Sequence, residues 1–364
     1  MPGRNQVNVA AGPQKGRGAI GNPRGRFDAI TRERVDDGWE QDGAAPARAL
    51  QELLPEQART IIARNSSPDV PFSQSINPYR GCEHGCIYCY ARPTHAYIDL
   101  SPGLDFERRI RFKQNAPELL ERELAHPRYR CEPIMLGANT DPYQPAEAGL
   151  GITRRLLEVC LKHSQPVCVI TKSALVLRDA DLLEELARRR LCHAHISVTT
   201  LDDALKRKLE PRTASGRARL RVVADLAARG IAVGVLVAPV IPLINDAGIE
   251  AILEYAAQAG ARRAAWILLR LPHEVGPLFR EWLATHYPER AEHVMSLIRQ
   301  SREGRENDSR FGSRMRGSGP YADLIGQRFK LAARRFGLND ANWPALDTGQ
   351  FAAVHNPPPQ LLLF

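Results

Sequence analysis

The chain has 364 residues, 43% hydrophobic and 25% charged, with a net charge of +9, a balance that excludes a fibrous or wholly disordered protein and suits one large domain with extensions. Its longest apolar stretch, residues 231–244, is broken by Pro239 and Pro242 and falls short of the roughly 20 residues that cross a bilayer. Seven cysteines without paired spacing exclude a secreted disulfide scaffold; with no apolar secretion signal, a cytoplasmic protein with no membrane contact is expected.

In chain order, residues 1–26 hold Arg4, Lys15, Arg17, Arg24 and Arg26 but no acid and little apolar bulk, so a disordered basic arm is expected. Leu50, Leu53, Leu54, Ala58 and Ile61 then fit one helix over 44–64, with Pro55 as a bend. Arm and helix make an N-terminal extension over 1–70.

From residue 71, short β-rich runs alternate with amphipathic ones, the rhythm of a parallel sheet with crossover helices. Six strands are expected at 72–77, 134–137, 167–170, 194–198, 231–238 and 264–269, with helices at 117–125, 154–163, 180–190, 217–229 and 247–259. Thr153 and Asp246 stand at N-cap positions, and Gly230 and Gly260 at helix ends. The fold class is α/β, a partial (β/α)6 barrel over 71–272. Helices at 275–285, 288–300 and 321–336 form a C-terminal extension over 273–340, and 341–364 reads as an extended tail.

Directly after the first strand stands Arg80-Gly81-Cys82-Glu83-His84-Gly85-Cys86-Ile87-Tyr88-Cys89-Tyr90. Thiols spaced C-x3-C-x2-C converge on one soft metal centre, and such runs hold iron-sulfur clusters. Three ligands for four irons leave one iron open to a substrate or cofactor. Gly81 and Gly85 let the backbone curl around the centre. A zinc site completed by His84 or Cys131 is the competing reading.

The motif resembles that of the radical S-adenosylmethionine enzymes, C-x3-C-x-aromatic-C with Tyr88 as the aromatic. Residues 77–92 and Gly137-Ala138-Asn139-Thr140-Asp141-Pro142-Tyr143-Gln144 further resemble a DNA repair photolyase-like subgroup related to spore photoproduct lyase. The superfamily resemblance runs over about 71–272, and that to the subgroup also takes in 311–337.

The resemblance implies a four-iron, four-sulfur cluster on Cys82, Cys86 and Cys89, with S-adenosylmethionine chelated to the open iron. One electron, from a donor such as flavodoxin or ferredoxin, then yields a 5'-deoxyadenosyl radical. It also implies that Asn139 and Asp141 meet the cofactor's amino group, Ser197 and Thr199 its ribose or carboxylate, and the Tyr88 backbone its adenine. Arg212 is a bidentate partner for the carboxylate. Spore photoproduct lyase returns hydrogen to its product from a cysteine; Cys131, Cys160, Cys168 and Cys192 are available here, with Cys131 and Cys168 as candidates beside Tyr90 and Tyr97 as radical relays. A lyase-type DNA repair reaction is expected, with a radical enzyme acting on RNA, protein or a small molecule, and a non-catalytic nucleic-acid-binding module, as alternatives.

Strand-to-helix turns favour Asn, Asp, Ser and Thr as caps in any case, so the polar ends of the strands carry weight as a group. Positive charge concentrates over 206–221 and 299–335, runs that suit phosphates or merely solvated helix faces; Phe311 to Gly317 is expected to cover the mouth or grip substrate. The last residues read Pro357-Pro358-Pro359-Gln360-Leu361-Leu362-Leu363-Phe364. Gln360, Leu361, Leu363 and Phe364 resemble a pentapeptide that docks on the replication sliding clamp, with a departure at Leu362; packing of the tail on its own barrel is the alternative.

Overall fold

The computed structural model describes residues 13–27, 51–340 and 342–353. Ten strands run along the chain: β1 (Glu52–Glu56), β2 (Ile62–Arg64), β3 (Gln74–Ile76), β4 (Tyr79–Arg80), β5 (Arg109–Lys113), β6 (Ile134–Leu136), β7 (Val167–Thr171), β8 (Cys192–Ser197), β9 (Ala232–Val240) and β10 (Arg263–Leu268). The helices are α1 (Leu104–Arg108), α2 (Ala116–Leu124), α3 (Glu147–Leu150), α4 (Ile152–Lys162), α5 (Ala180–Arg188), α6 (Asp203–Leu209), α7 (Gly216–Ala228), α8 (Ile249–Gln258), α9 (Val275–His286), α10 (Ala291–Gln300) and α11 (Pro320–Arg335).

The main sheet has the order β10-β9-β8-β7-β6-β3-β2. Every neighbouring pair from β3 to β10 is parallel, and β2 joins antiparallel to β3. This is a mixed α/β fold of the partial-barrel kind, with the six expected strands in chain order. Strands buried on both faces read as continuous apolar runs; β9, Ala-Val-Gly-Val-Leu-Val-Ala-Pro-Val, is the longest. The helices cover the sheet with apolar stripes at helical spacing, such as Ile152, Leu156, Leu157 and Cys160 on α4 and Ile249, Ile252, Leu253 and Ala256 on α8. Each fully buried leucine contributes about 1.5–3 kcal/mol.

The helix expected over 44–64 is not found in its described part: β1 and β2 take its place. Pro55 cannot donate inside a helix but is tolerated on β1, the edge of a small β1-β5-β4 sheet, while Ile62 pairs with Ile76. The basic arm is also corrected, since residues 18–21 are buried rather than solvated. At α4 the cap is Gly151, and Thr153 lies inside the helix, donating to the Pro142 carbonyl at 2.6 Å. Gly230 and Gly260 follow α7 and α8 as expected.

The free side of β10 is closed by side-chain and loop atoms. The Asn339 amide bonds both the N–H and the C=O of Ala264 at 2.9 Å, and Leu268 N donates to the Met315 carbonyl at 2.9 Å. Residues 343–352 lie across the opposite end of the barrel, where Trp343 packs on His193 with centroids 4.5 Å apart and Ala352 N donates to the His163 carbonyl. The clamp-like Gln360, Leu361, Leu363 and Phe364 lie outside the described residues. Among those described, no helix is long and apolar enough to cross a membrane.

Candidate active site

The C-terminal ends of parallel strands, where crossover loops begin, form a cavity of about 490 Å³. Cys82, Cys86 and Cys89 line it from one side, and Asn139, Asp141, Lys172, Ser197 and Arg270 from the strand ends. Arg314 and Met315 close one flank, so the loop expected to cover the mouth does line it. Arg302, 1% exposed, pins that loop to the barrel by donating to the carbonyls of Leu269 at 2.7 Å and Arg314 at 2.8 Å.

The cysteine loop is fixed by its backbone. Gly81 adopts φ +82°, and a Cβ there would stand 2.9 Å from the Phe106 carbonyl, which itself accepts from Cys82 N. Gln144 accepts from Glu83 N at 2.9 Å and donates to the Gly81 carbonyl, so the polar segment after β6 holds this loop as well. Ile87 N donates to Leu209 O, and Arg212 N to His84 O.

Burial first, then Asp141 and the two neighbouring thiols, pushes the Cys82 thiol well above its ordinary range. Burial and Glu210 push Cys86 up to about 12, and burial raises Cys89. Three thiols this close, each costly to ionise alone, suit a centre whose positive charge stabilises thiolates. Among the described residues no three His, Cys, Asp or Glu side chains are grouped to hold one metal ion; of the two ligands proposed to complete a zinc site, His84 lines the cavity with the three cysteines and Cys131 does not. His84 pairs with Asp141 at 3.4 Å, and Cys131 donates to Gln165 at 3.5 Å away from the cavity. Three neighbouring thiols at this spacing fit an iron-sulfur cluster.

The other expected site residues divide. Asn139, Asp141, Ser197, Tyr88 and Tyr90 line the cavity; Thr199, Arg212, Cys131 and Cys168 do not. Asp141 is held by its surroundings: it accepts from Thr171 Oγ1 at 2.7 Å, Lys172 N at 2.8 Å and Tyr143 N at 2.9 Å. Burial raises its carboxyl, but His84 and these donors prevail and keep it at about 2. Arg212 is turned to Glu83, its Nη2 3.0 Å from a carboxylate 1% exposed, so its charge is already spent. Cys168 is the second residue of β7 and Cys131 precedes β6, which puts both at the wrong ends of their strands. Cys160, on α4, and Cys192, the first residue of β8, are equally remote. Among the described residues no fourth cysteine lines the cavity.

Sequence reasoning missed a buried network behind the site. The Tyr88 hydroxyl donates to Glu210, which also accepts from Thr199 Oγ1 at 2.7 Å and pairs with Arg219. Arg219 continues to the Ser197 carbonyl at 2.9 Å. Burial raises Glu210, but Arg219 and Lys172 prevail and hold it at about 2. Tyr88 and Glu210 are remote in sequence and carry no local signal of their meeting.

A half-open parallel barrel with three thiols at the mouth of its strands defines a class, enzymes that bind a cofactor on an incompletely ligated metal cluster. Residues 76–256 match the model of the Radical SAM superfamily, and the chain belongs to that superfamily. It is 36% identical over 233 residues to an uncharacterized protein of Mycobacterium tuberculosis, covering 64% of this chain and 68% of the relative. It is 27% identical to an uncharacterized protein of Methanocaldococcus jannaschii, covering 54% and 70%. Among solved structures, spore photoproduct lyase complexed with dinucleoside spore photoproduct has a similar fold, with a TM-score of 0.57, 16% identity, and 79% and 80% of the two chains covered. The protein is a radical SAM enzyme, and its cofactors are a four-iron, four-sulfur cluster and S-adenosylmethionine, as the superfamily uses and as a neighbouring lyase structure with bound AdoMet illustrates.

Proposed function

We propose that the enzyme acts on nucleic acid, converting a damaged base by a lyase-type radical reaction. The observation that carries this reading is the charge of the cavity. Lys172 and Arg270 both face it, and neither forms an ion pair among the described residues. Arg270 leaves its Nε without a partner, its guanidinium 5.9 Å from the Tyr90 ring and reaching only the Met315 sulfur at 3.7 Å. Unpaired cations in a partly desolvated pocket favour anionic ligands. Arg316, two residues beyond Arg314, lines a second cavity of about 480 Å³ with Lys330, Arg334 and Asp340, a net positive lining of the kind that suits a polyanionic strand.

Cys82, Cys86 and Cys89 would hold the cluster, which would pass one electron from an external donor to S-adenosylmethionine for its reductive cleavage. The chain supplies orientation and exclusion of water. Lys172 and Ser197 hold the cofactor's carboxylate in the role first expected of Arg212, Asn139 and the Tyr88 backbone hold its amino and adenine ends, and Arg270 takes a phosphate of the substrate. With no fourth cysteine in the cavity, Tyr90, whose hydroxyl donates to the Ala138 carbonyl at the mouth, is the candidate to return hydrogen to product.

Enzyme reduced without oxygen and given S-adenosylmethionine should form 5'-deoxyadenosine, and with irradiated DNA it should deplete a lesion detectable by mass spectrometry. Lesion loss from irradiated RNA alone, or from neither polymer, overturns the DNA assignment. Arg270→Gln should raise the KM for the oligonucleotide about tenfold, the worth of one charge-assisted contact; an unchanged KM removes Arg270 from substrate binding.

A further inference from the structure

The segment expected to be a disordered arm is woven into the cysteine loop. Glu107 on α1 is fully buried. Its carboxylate accepts from Gly18 N at 3.1 Å, Ala19 N at 2.8 Å and Arg92 Nη2 at 2.6 Å. Arg92, also fully buried, donates through Nε to the carbonyl of Cys86 at 2.9 Å, and through Nη1 to those of Pro102 and Gly103. Arg17 Nη1 closes the circuit at the Glu107 carbonyl, 3.0 Å away.

Packing agrees with the hydrogen bonds. A Cβ at Gly18 would fall 1.8 Å from the carbonyl oxygen of Gly85, between two of the ligands, so no other residue fits without moving that loop. Ala19 packs in one apolar cluster with Cys86, Ile87 and Tyr88. Further on, Gly21 O accepts from Leu104 N, and the Asn22 side chain exchanges two bonds of 2.9 Å with Asp105.

We infer that residues 17–21 are part of the cluster site. They form its outer wall and set the position of Gly85 and Cys86, so retention of the cluster depends on a segment that contributes none of its ligands. Glu107 and Arg92 are the positioning residues through which the segment acts. Supporting contacts of this kind are worth about ten- to a hundredfold in metal affinity.

The test is iron release. Full-length protein is reconstituted without oxygen and challenged with bathophenanthroline well below its melting temperature. Gly18→Ala should lose iron about tenfold faster than the unmodified protein, because the first methyl group already collides. Arg17→Gln, which removes one bond and adds no bulk, should change release in the same direction and serves if Gly18→Ala does not fold. Tyr321→Phe, which loses a 2.7 Å hydrogen bond to Asp246 outside the cavity lining, should lower the melting temperature without altering release. Iron release at the unmodified rate from Gly18→Ala and Arg17→Gln, or acceleration by Tyr321→Phe in step with lost stability, overturns the inference. Unmodified protein that takes up no iron instead refutes the cluster on which the inference rests.

Discussion

Replacing Cys82, Cys86 or Cys89 by alanine should abolish iron and sulfide binding and cut 5'-deoxyadenosine formation by at least about a hundredfold, since each thiol is proposed as a ligand and not merely a support. Iron analysis, the visible absorbance of the anoxic protein and product formation by mass spectrometry check this together. Cys131→Ala and Cys168→Ala should leave all three readouts as they are, because those thiols sit at the opposite end of the barrel from the cavity. A Cys86→Ala protein that keeps its colour and its product would refute the centre. The fold should survive in each case, for the loop is held by Phe106, Gln144 and Arg92 and not by the thiols.

The second large effect is on stability. Glu210 and Arg219 are at most 1% exposed, and removing one member of a buried pair strands the other at a cost of about 3–5 kcal/mol. Arg219→Met should therefore lower the urea midpoint sharply and loosen Tyr88 at the cysteine loop. Glu210→Gln should act in the same direction, and the double variant should recover part of the loss. The acid dependence has a definite sign. Glu210 is held at about 2 in the fold against an ordinary 4.5, so its contribution is present above the ordinary value and is lost as pH falls from about 4.5 toward about 2. Stability should fall less steeply over that window in Glu210→Gln than in the unmodified chain. Parallel curves would show that this carboxylate does not govern acid unfolding.

What was legible in the sequence was whatever has a local period. Six strands and their helices stand where apolar runs and stripes put them, because parallel strands buried on both faces leave an unbroken apolar signature. The cysteine spacing marked the centre, and position at strand ends marked Asn139, Asp141 and Ser197. The expectation of Cys131 and Cys168 as candidates failed because it took no account of strand direction: Cys168 is second in its strand and Cys131 lies ahead of its own, away from the cavity. The ties of Glu107 to Gly18 and of Glu210 to Tyr88 join residues distant in sequence, and a single acid on a short helix looks like any solvated one. The segment around Gly18 was misread because close backbone packing needs few apolar side chains, so its composition resembled that of disorder.

The closure of β10 has a consequence for the behaviour of the molecule in concentrated solution. A barrel that does not complete its circle leaves two rims, each able in principle to recruit a strand from another molecule. With the Asn339 amide occupying both polar groups of Ala264 and Met315 occupying Leu268, the longer rim has little ladder to offer a stranger. The other is the three-residue β2, Ile62–Arg64, ending on an exposed arginine. Self-association by strand addition is thereby disfavoured at both ends of the sheet.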